Sequence, residues 1–305
     1  MEVSSTEDYA LVAPRLPPEL ERVIFEFAAL SRRSSIPCLM RIAWRVKNWV
    51  EPLLYQVVFI TSSARQVRQM HGFPLMPVDL FIHAIATKPP SFFATSVRHL
   101  FLQSYLEPPT VAIIFAACAN LQHLYYTPFD HDPPAHRMAL DSLQCLKQLT
   151  FFITDLFPTK IDFTRPIFRN ITHLEMLDTP HSRMVERLIL PPRLTHIAFH
   201  PGSVAQYTTL QTWLLSDTQL VCILFLLGGP ISRSRLMETA AVPDDDRFLF
   251  MGQTGDRADW LRVVAGEGYW VLAEAFISAK RTGQLDRSLR GLDQHGSLAR
   301  QLLSL

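Results

Sequence analysis

The chain has 305 residues, 48% of them hydrophobic, and a formal net charge of +1, which leaves no basic footprint for nucleic acid or an anionic membrane. Eleven glycines include no Walker or Rossmann phosphate loop. The scattered Cys38, Cys118, Cys145 and Cys222 form no Cys-x-x-Cys pair and suit reduced thiols in the cytoplasm or nucleus.

In chain order, residues 1–14 read as a disordered, acidic tail without a secretory signal. Leu16-Pro17-Pro18-Glu19-Leu20 then opens a helix, since proline suits a first turn. Leu20, Val23, Ile24, Phe27 and Ala28 follow at i, i+3, i+4, i+7, i+8, an amphipathic stripe. The pattern predicts a second helix over residues 35–47, with Ser35 as cap and a stripe of Leu39, Ile42, Ala43 and Val46. A short third element, residues 48–55, carries Trp49, Leu53 and Leu54, and a strand over 56–60 closes a helical module spanning 15–60.

Residues 61–255 are organised by a repeat. The pattern apolar-x-x-apolar-x-apolar begins at Val97, Leu121, Leu146, Ile171, Leu194 and Leu220, with successive starts 24, 25, 25, 23 and 26 residues apart. A further match, Leu54-x-x-Val57-x-Phe59, lies 43 residues ahead of the first. Such a period marks a solenoid, whose units bury their apolar faces by stacking on one another. Helical stripes at Val78, Phe81, Ile82 and Ile85 and at 111–118 fill the early returns. Prolines 158, 166, 191 and 192 predict turns and single helical turns later. The longest apolar runs, 111–119 and 220–227, are too short to span a bilayer, so no membrane contact is expected. In the sixth copy Val221, Cys222 and Leu224 are apolar too, so both faces need covering. The supply is one helix over 259–280, carrying Trp260, Tyr269, Trp270 and Ile277, within a capping segment 256–283. Residues 284–305 read as a mobile tail.

Positions three and five of the template point away from positions one, four and six. They hold His99 and Phe101, His123 and Tyr125, Gln148 and Thr150, His173 and Glu175, and His196 and Ala198. As strands with one wet face, these would form a strip on a concave sheet with Phe101 and Tyr125 as anchors for a partner. Stacked imidazoles also suit a metal or pH-sensing ladder, as does the loop Asp130-His131-Asp132 with His136, but no evident ligand set is complete and no metal is expected. Without a Gly-x-Ser-x-Gly elbow there is no catalytic assignment, no enzyme activity and no cofactor expected.

Leu16, Pro17, Glu19, Leu20, Ile24 and Phe25, followed by Arg45-Val46-Lys47-Asn48-Trp49, resemble an F-box. The continuation through Val50-Glu51-Pro52-Leu53-Leu54-Tyr55 into a repeat array resembles the F-box-like leucine-rich-repeat proteins abundant in mushroom-forming (basidiomycete) fungi. Cys118-x-Asn120-Leu121 and Cys145-Leu146 are similar to the cysteine-containing repeats common in F-box proteins. The chain departs from that pattern where Asn or Cys usually follows the third apolar position. Tyr105, Phe129, Thr154, Thr179, Gly202 and Gly228 stand there, so the solenoid should be irregular.

The resemblance implies an α/β protein: a small helical F-box-like module, an irregular leucine-rich-repeat solenoid of parallel strands, and a C-terminal capping helix. It implies a substrate receptor of a Skp-cullin-F-box ubiquitin ligase, with Leu16, Pro17, Pro18, Leu20, Ile24, Phe25, Val46 and Trp49 meeting the Skp-type adaptor and the solenoid holding a protein substrate. The other reading is a repeat scaffold whose helices only cap the solenoid, with no ligase role.

Overall fold

The computed structural model describes residues 16–61, 69–70, 73–104, 106–128, 133–180, 184, 189–200, 210, 213–214, 217–228, 245–253, 256–289, 291–292 and 297–302. The expected tail, 1–14, and the loop residues Asp130, His131 and Asp132 lie outside them. The chain divides into two compact units after Tyr55.

The first unit is helical. Helix α1 (Pro18–Ser31) starts on a proline, where no amide partner is needed, with Glu19 and Glu21 in its first turn. A 3-10 turn (Arg33–Ser35), α2 (Ile36–Leu39) and α3 (Trp44–Leu54) follow. The single helix expected over 35–47 is therefore two pieces, parted where Ala43 is extended (φ −158°, ψ 156°). The break lets Ile36 on α2 and Val46 and Val50 on α3 meet Ala29 of α1 in one core, whereas a continuous helix would turn Ile42 inward. Ile42 stays 59% exposed. Arg45 bridges α3 to α1 through two hydrogen bonds donated to Glu21, at 2.9 and 2.8 Å.

The second unit is an eleven-stranded sheet: β1 (Val57–Thr61), β2 (Gln69–Met70), β3 (Phe73–Pro77), β4 (His99–Ser104), β5 (His123–Pro128), β6 (Gln148–Phe151), β7 (His173–Met176), β8 (His196–Phe199), β9 (Cys222–Gly228), β10 (Phe248–Gln253) and β11 (Gly291–Leu292). Their spatial order is β11-β10-β9-β8-β7-β6-β5-β4-β1-β3-β2, with all pairings parallel except β2 with β3. The unit is thus an α/β fold on a parallel, solenoid-like sheet.

Helices α4 (Val78–Thr87), α5 (Pro90–Ser96), α6 (Pro108–Ala117) and α7 (Pro133–Leu140) return the chain between early strands. After β6 the chain passes through α8 (Ile153–Leu156) and a 3-10 turn (Pro166–Phe168), and Met184, Leu210, Trp213 and Leu214 are helical among the described residues of the later returns. Strand β1 corrects the sequence reading twice. It belongs to the sheet and not to a module ending at 60, and Val57 pairs with His99, not Leu100. That one-residue shift puts Val57 and Phe59 on the face of Phe101 instead of the face of Leu100.

Polar side chains tie successive turns. Asp178 accepts from the Ile153 and Thr154 amides at 2.6 and 3.0 Å and from the Thr154 hydroxyl. Asn170 donates to the Gln144 carbonyl at 2.8 Å and Gln219 to the Leu194 carbonyl at 2.7 Å.

Both faces of the sheet are covered, as a parallel sheet requires. On one face, Phe115 of α6 packs edge-on to Tyr126 at 5.5 Å. The other face is covered by α9 (Asp256–Val264) and α10 (Tyr269–Arg281), which replace the single helix expected over 259–280. The break falls at Gly266, whose φ of +77° suits glycine, and at Gly268, where a Cβ would stand 2.4 Å from Val263 Cγ2. Two separate axes let Trp260 reach β1 and β4 while Tyr269 to Ile277 pack on β8 to β10. The segment expected to be mobile after 284 is also built in. β11 pairs with β10 (Phe250 with Gly291), and α11 (Ser297–Leu302) sends Ala299 and Leu302 into the core shared with α10.

Candidate functional site

Two surfaces carry the sequence-predicted residues, one in each unit. On α1 the apolar stripe does not face the unit's core. Leu20 is 53% exposed, Val23 60%, Ile24 53% and Phe27 72%, and Leu16, Pro17 and Pro18 are exposed beside them. The core side of α1 is instead Phe25 and Ala29. Of the residues assigned to adaptor contact, Phe25 and Trp49 are half-buried against that core and Val46 is buried within it. Val46 is therefore a packing residue, because its position on α3 faces Ala29 and Val50. The exposed set is an apolar surface of the kind that marks an interface.

In the sheet unit the register places the predicted strip side by side. His99, His123, Gln148, His173 and His196 are successive partners, and so are Phe101, Tyr125, Thr150, Glu175 and Ala198. The strip is not a wet face. Phe101 and Tyr125 are buried, with their rings stacked at 4.1 Å. Trp260 of α9 packs edge-on to Phe101 at 5.4 Å and to Phe59 at 5.2 Å. His123, Thr150, Glu175 and His196 are buried as well, and Trp270 of α10 stands against His173 at 5.2 Å and His196 at 5.6 Å. Aromatics on the strip and on the C-terminal helices supply each other's cover. Seven of the ten strip residues are thus core, Phe101 and Tyr125 among them, while His99, Gln148 and His173 are half-buried. Cys222 and Leu224 are buried in the same way, under α10.

Two polar clusters lie between α10 and the sheet. Glu175 Oε2 accepts from Thr150 Oγ1 at 2.8 Å and from the Tyr269 hydroxyl at 2.7 Å, while His200 Nε2 lies 2.8 Å from Oε1. Burial, then the neighbouring Glu175 charge, pushes the Tyr269 phenol well above its usual value. A carboxyl group engaged on both oxygens holds α10 to the sheet through Tyr269. His200 and Tyr269 escape sequence reasoning, because neither shares a local pattern with Glu175.

The second cluster is the pair His173 and His196, stacked 4.2 Å apart with an interplanar angle of 11°. Thr172 Oγ1 lies 2.9 Å from His173 Nδ1 and Thr195 Oγ1 2.8 Å from His196 Nδ1. Glu274 Oε1 lies 2.8 Å from His196 Nε2. Burial, reinforced by His196, depresses the His173 pKa to about 3. His196 is depressed by burial and raised by Glu274. The pair His99 and His123 meets edge-on at 6.0 Å. His136, from the other candidate metal cluster, faces the Tyr126 hydroxyl through Nδ1.

Among the described residues no helix is long and apolar enough to cross a membrane. No protein-family model matches the chain, and no curated protein matches it.

Proposed function

We propose that the protein is an interaction adaptor, a substrate receptor of a Skp-cullin-F-box ubiquitin ligase. In this reading the helical unit is an F-box-like module that docks on the Skp-type adaptor, and the sheet unit is a degenerate leucine-rich-repeat solenoid that holds a protein substrate. The observation that carries it is the outward apolar face of α1. Leu20, Val23, Ile24 and Phe27 are each more than half exposed on a unit that already has its own core. Burying a side chain of this kind is favourable by about 1.5–3 kcal/mol, so the face is a strong candidate anchor. The resemblance of Leu16 to Phe25 and of Arg45 to Trp49 to an F-box names the adaptor. Substrate recognition falls outside the strip centred on Phe101 and Tyr125, which the C-terminal helices occupy.

The test is co-purification of the full-length chain with the Skp-type adaptor, followed by Leu20→Ala with Ile24→Ala. Both side chains lie outside the helical core, so the double variant should melt like the wild type while losing at least tenfold in affinity, roughly 1.4 kcal/mol. Unchanged affinity in the folded variant refutes this docking mode. A wild-type chain that does not bind the adaptor leaves the scaffold reading, with no ligase role.

A further inference from the structure

We infer that His173, His196 and Glu274 form a binding site for a divalent transition-metal ion of zinc's type. The inference is independent of the ligase reading. Strands β7 and β8 and helix α10 bring together three side chains whose candidate ligand atoms all lie within 4.8 Å of one another.

The threonine hydroxyls beside the rings bear on which nitrogen is available. The Thr172 hydroxyl donates to the Lys147 carbonyl at 3.2 Å, and the Thr195 hydroxyl donates to the Thr172 carbonyl at 3.2 Å. With its one proton placed on that carbonyl, each hydroxyl accepts from the ring Nδ1–H, the tautomer that a metal at Nε2 requires. A neutral imidazole protonated on Nδ1 carries its lone pair on Nε2. Both rings thus offer Nε2 as a ligand atom, each held by a hydroxyl on its far side, the arrangement that orients metal-binding histidines.

Glu274 completes the set. His196 Nε2 is buried without an aligned hydrogen bond, although Glu274 Oε1 is only 2.8 Å away. A contact of this length needs a cation between the two atoms, a proton on the nitrogen or a metal ion, and the metal is the occupant proposed. Two imidazole nitrogens and one carboxylate are a borderline-soft donor set that suits zinc, and the 53% exposure of the Glu274 side chain leaves an entry path and an open coordination position. Bonds of about 2.1 Å at tetrahedral angles would hold ligand atoms roughly 3.4 Å apart. The remaining closure falls to the exposed Glu274 and small ring rotations. Trp270 walls the site on the apolar side.

The sequence reading expects no metal here because no ligand set is complete, Glu175 being the carboxylate near His173 in the chain; in the structure Glu175 is engaged by Thr150, Tyr269 and His200.

The experiment is calorimetric titration of the full-length, chelator-treated chain with Zn²⁺, repeated with Co²⁺ for its visible absorption. One saturable equivalent per chain is expected, with a cobalt spectrum showing nitrogen ligation. Glu274→Gln, at an exposed position, should fold normally and weaken binding at least tenfold, and His196→Asn should abolish it. No stoichiometric binding, or affinity unchanged in Glu274→Gln, overturns the inference and leaves an ordinary histidine–carboxylate contact.

Discussion

Trp260 reports directly on whether α9 is part of the core or a loose flap over the sheet. Its side chain is 2% exposed, and its ring centroid lies 5.2 Å from Phe59, 5.4 Å from Phe101 and 5.0 Å from His123. Truncating such a residue to alanine removes its burial and leaves a cavity, so Trp260→Ala should destabilise the sheet unit by about 3–5 kcal/mol. Trp260→Phe tests a finer point. The indole Nε1 is buried with no hydrogen-bond partner among the described residues. Leaving a donor in that state costs about 1–3 kcal/mol, so deleting it offsets much of the lost contact area and the Phe variant should stay within about 1 kcal/mol of wild type. The assay is urea unfolding of the full-length chain by far-UV circular dichroism, fitting separate transitions if the two units unfold apart. A hydrophobic dye follows exposure of Phe101 and Tyr125. A Trp260→Ala protein within 1 kcal/mol of wild type, with no added dye binding, would refute the packing of α9 on the strip and reopen that strip as a binding surface.

The break between α9 and α10 should be sensitive at one glycine and tolerant at the other. Gly268→Ala must push a Cβ against Val263, 2.4 Å from its Cγ2 and 2.6 Å from its Cα, so it should cost more than Gly266→Ala, where space is open. At Gly266 only the φ of +77° resists the change, by about 1–2 kcal/mol; equal melting shifts for the two variants would contradict this. Stability should also depend on pH through His123. Burial, with His99 and His173 adding to it, holds its folded pKa well below the usual 6.5 of a histidine. As pH falls below about 6.5 the unfolded chain takes up a proton that the folded chain does not. Stability then drops with a slope approaching about 1.4 kcal/mol per pH unit, and above that range this group contributes no slope. Urea midpoints of wild type and His123→Gln at pH 7, 6 and 5.5 measure the difference, and parallel slopes would show that His123 is not buried neutral.

Local pattern alone names much of the sheet. The residues at equivalent places in the six apolar copies, such as His99, His123, Gln148, His173, His196 and Cys222, lie side by side in β4 to β9. The apolar intervening positions of the sixth copy also announce that β9 needs cover on both faces, and α10 provides it. Proline explains the start of α1 and the 3-10 turn at Pro166–Phe168 for the same reason: its fixed φ and missing amide act within a few residues.

The rest depends on contacts between distant segments. His, Gln, Thr and Glu on the strip read as a wet face, yet Trp260 and Trp270 come from more than seventy residues further on to bury them. The stripe on α1 shows by its spacing that one side is apolar. Only the tertiary structure decides that this side faces outward, because Phe25 and Ala29 take the core. The register of β1 slips by one residue since its match to the template is set by pairing with β4, not by its own alternation. Glu274 stands with His173 and His196 for the same reason. The helix that carries it is placed by apolar packing under Leu272, Ala273 and Phe276, and no spacing in the chain records which carboxylate that packing delivers.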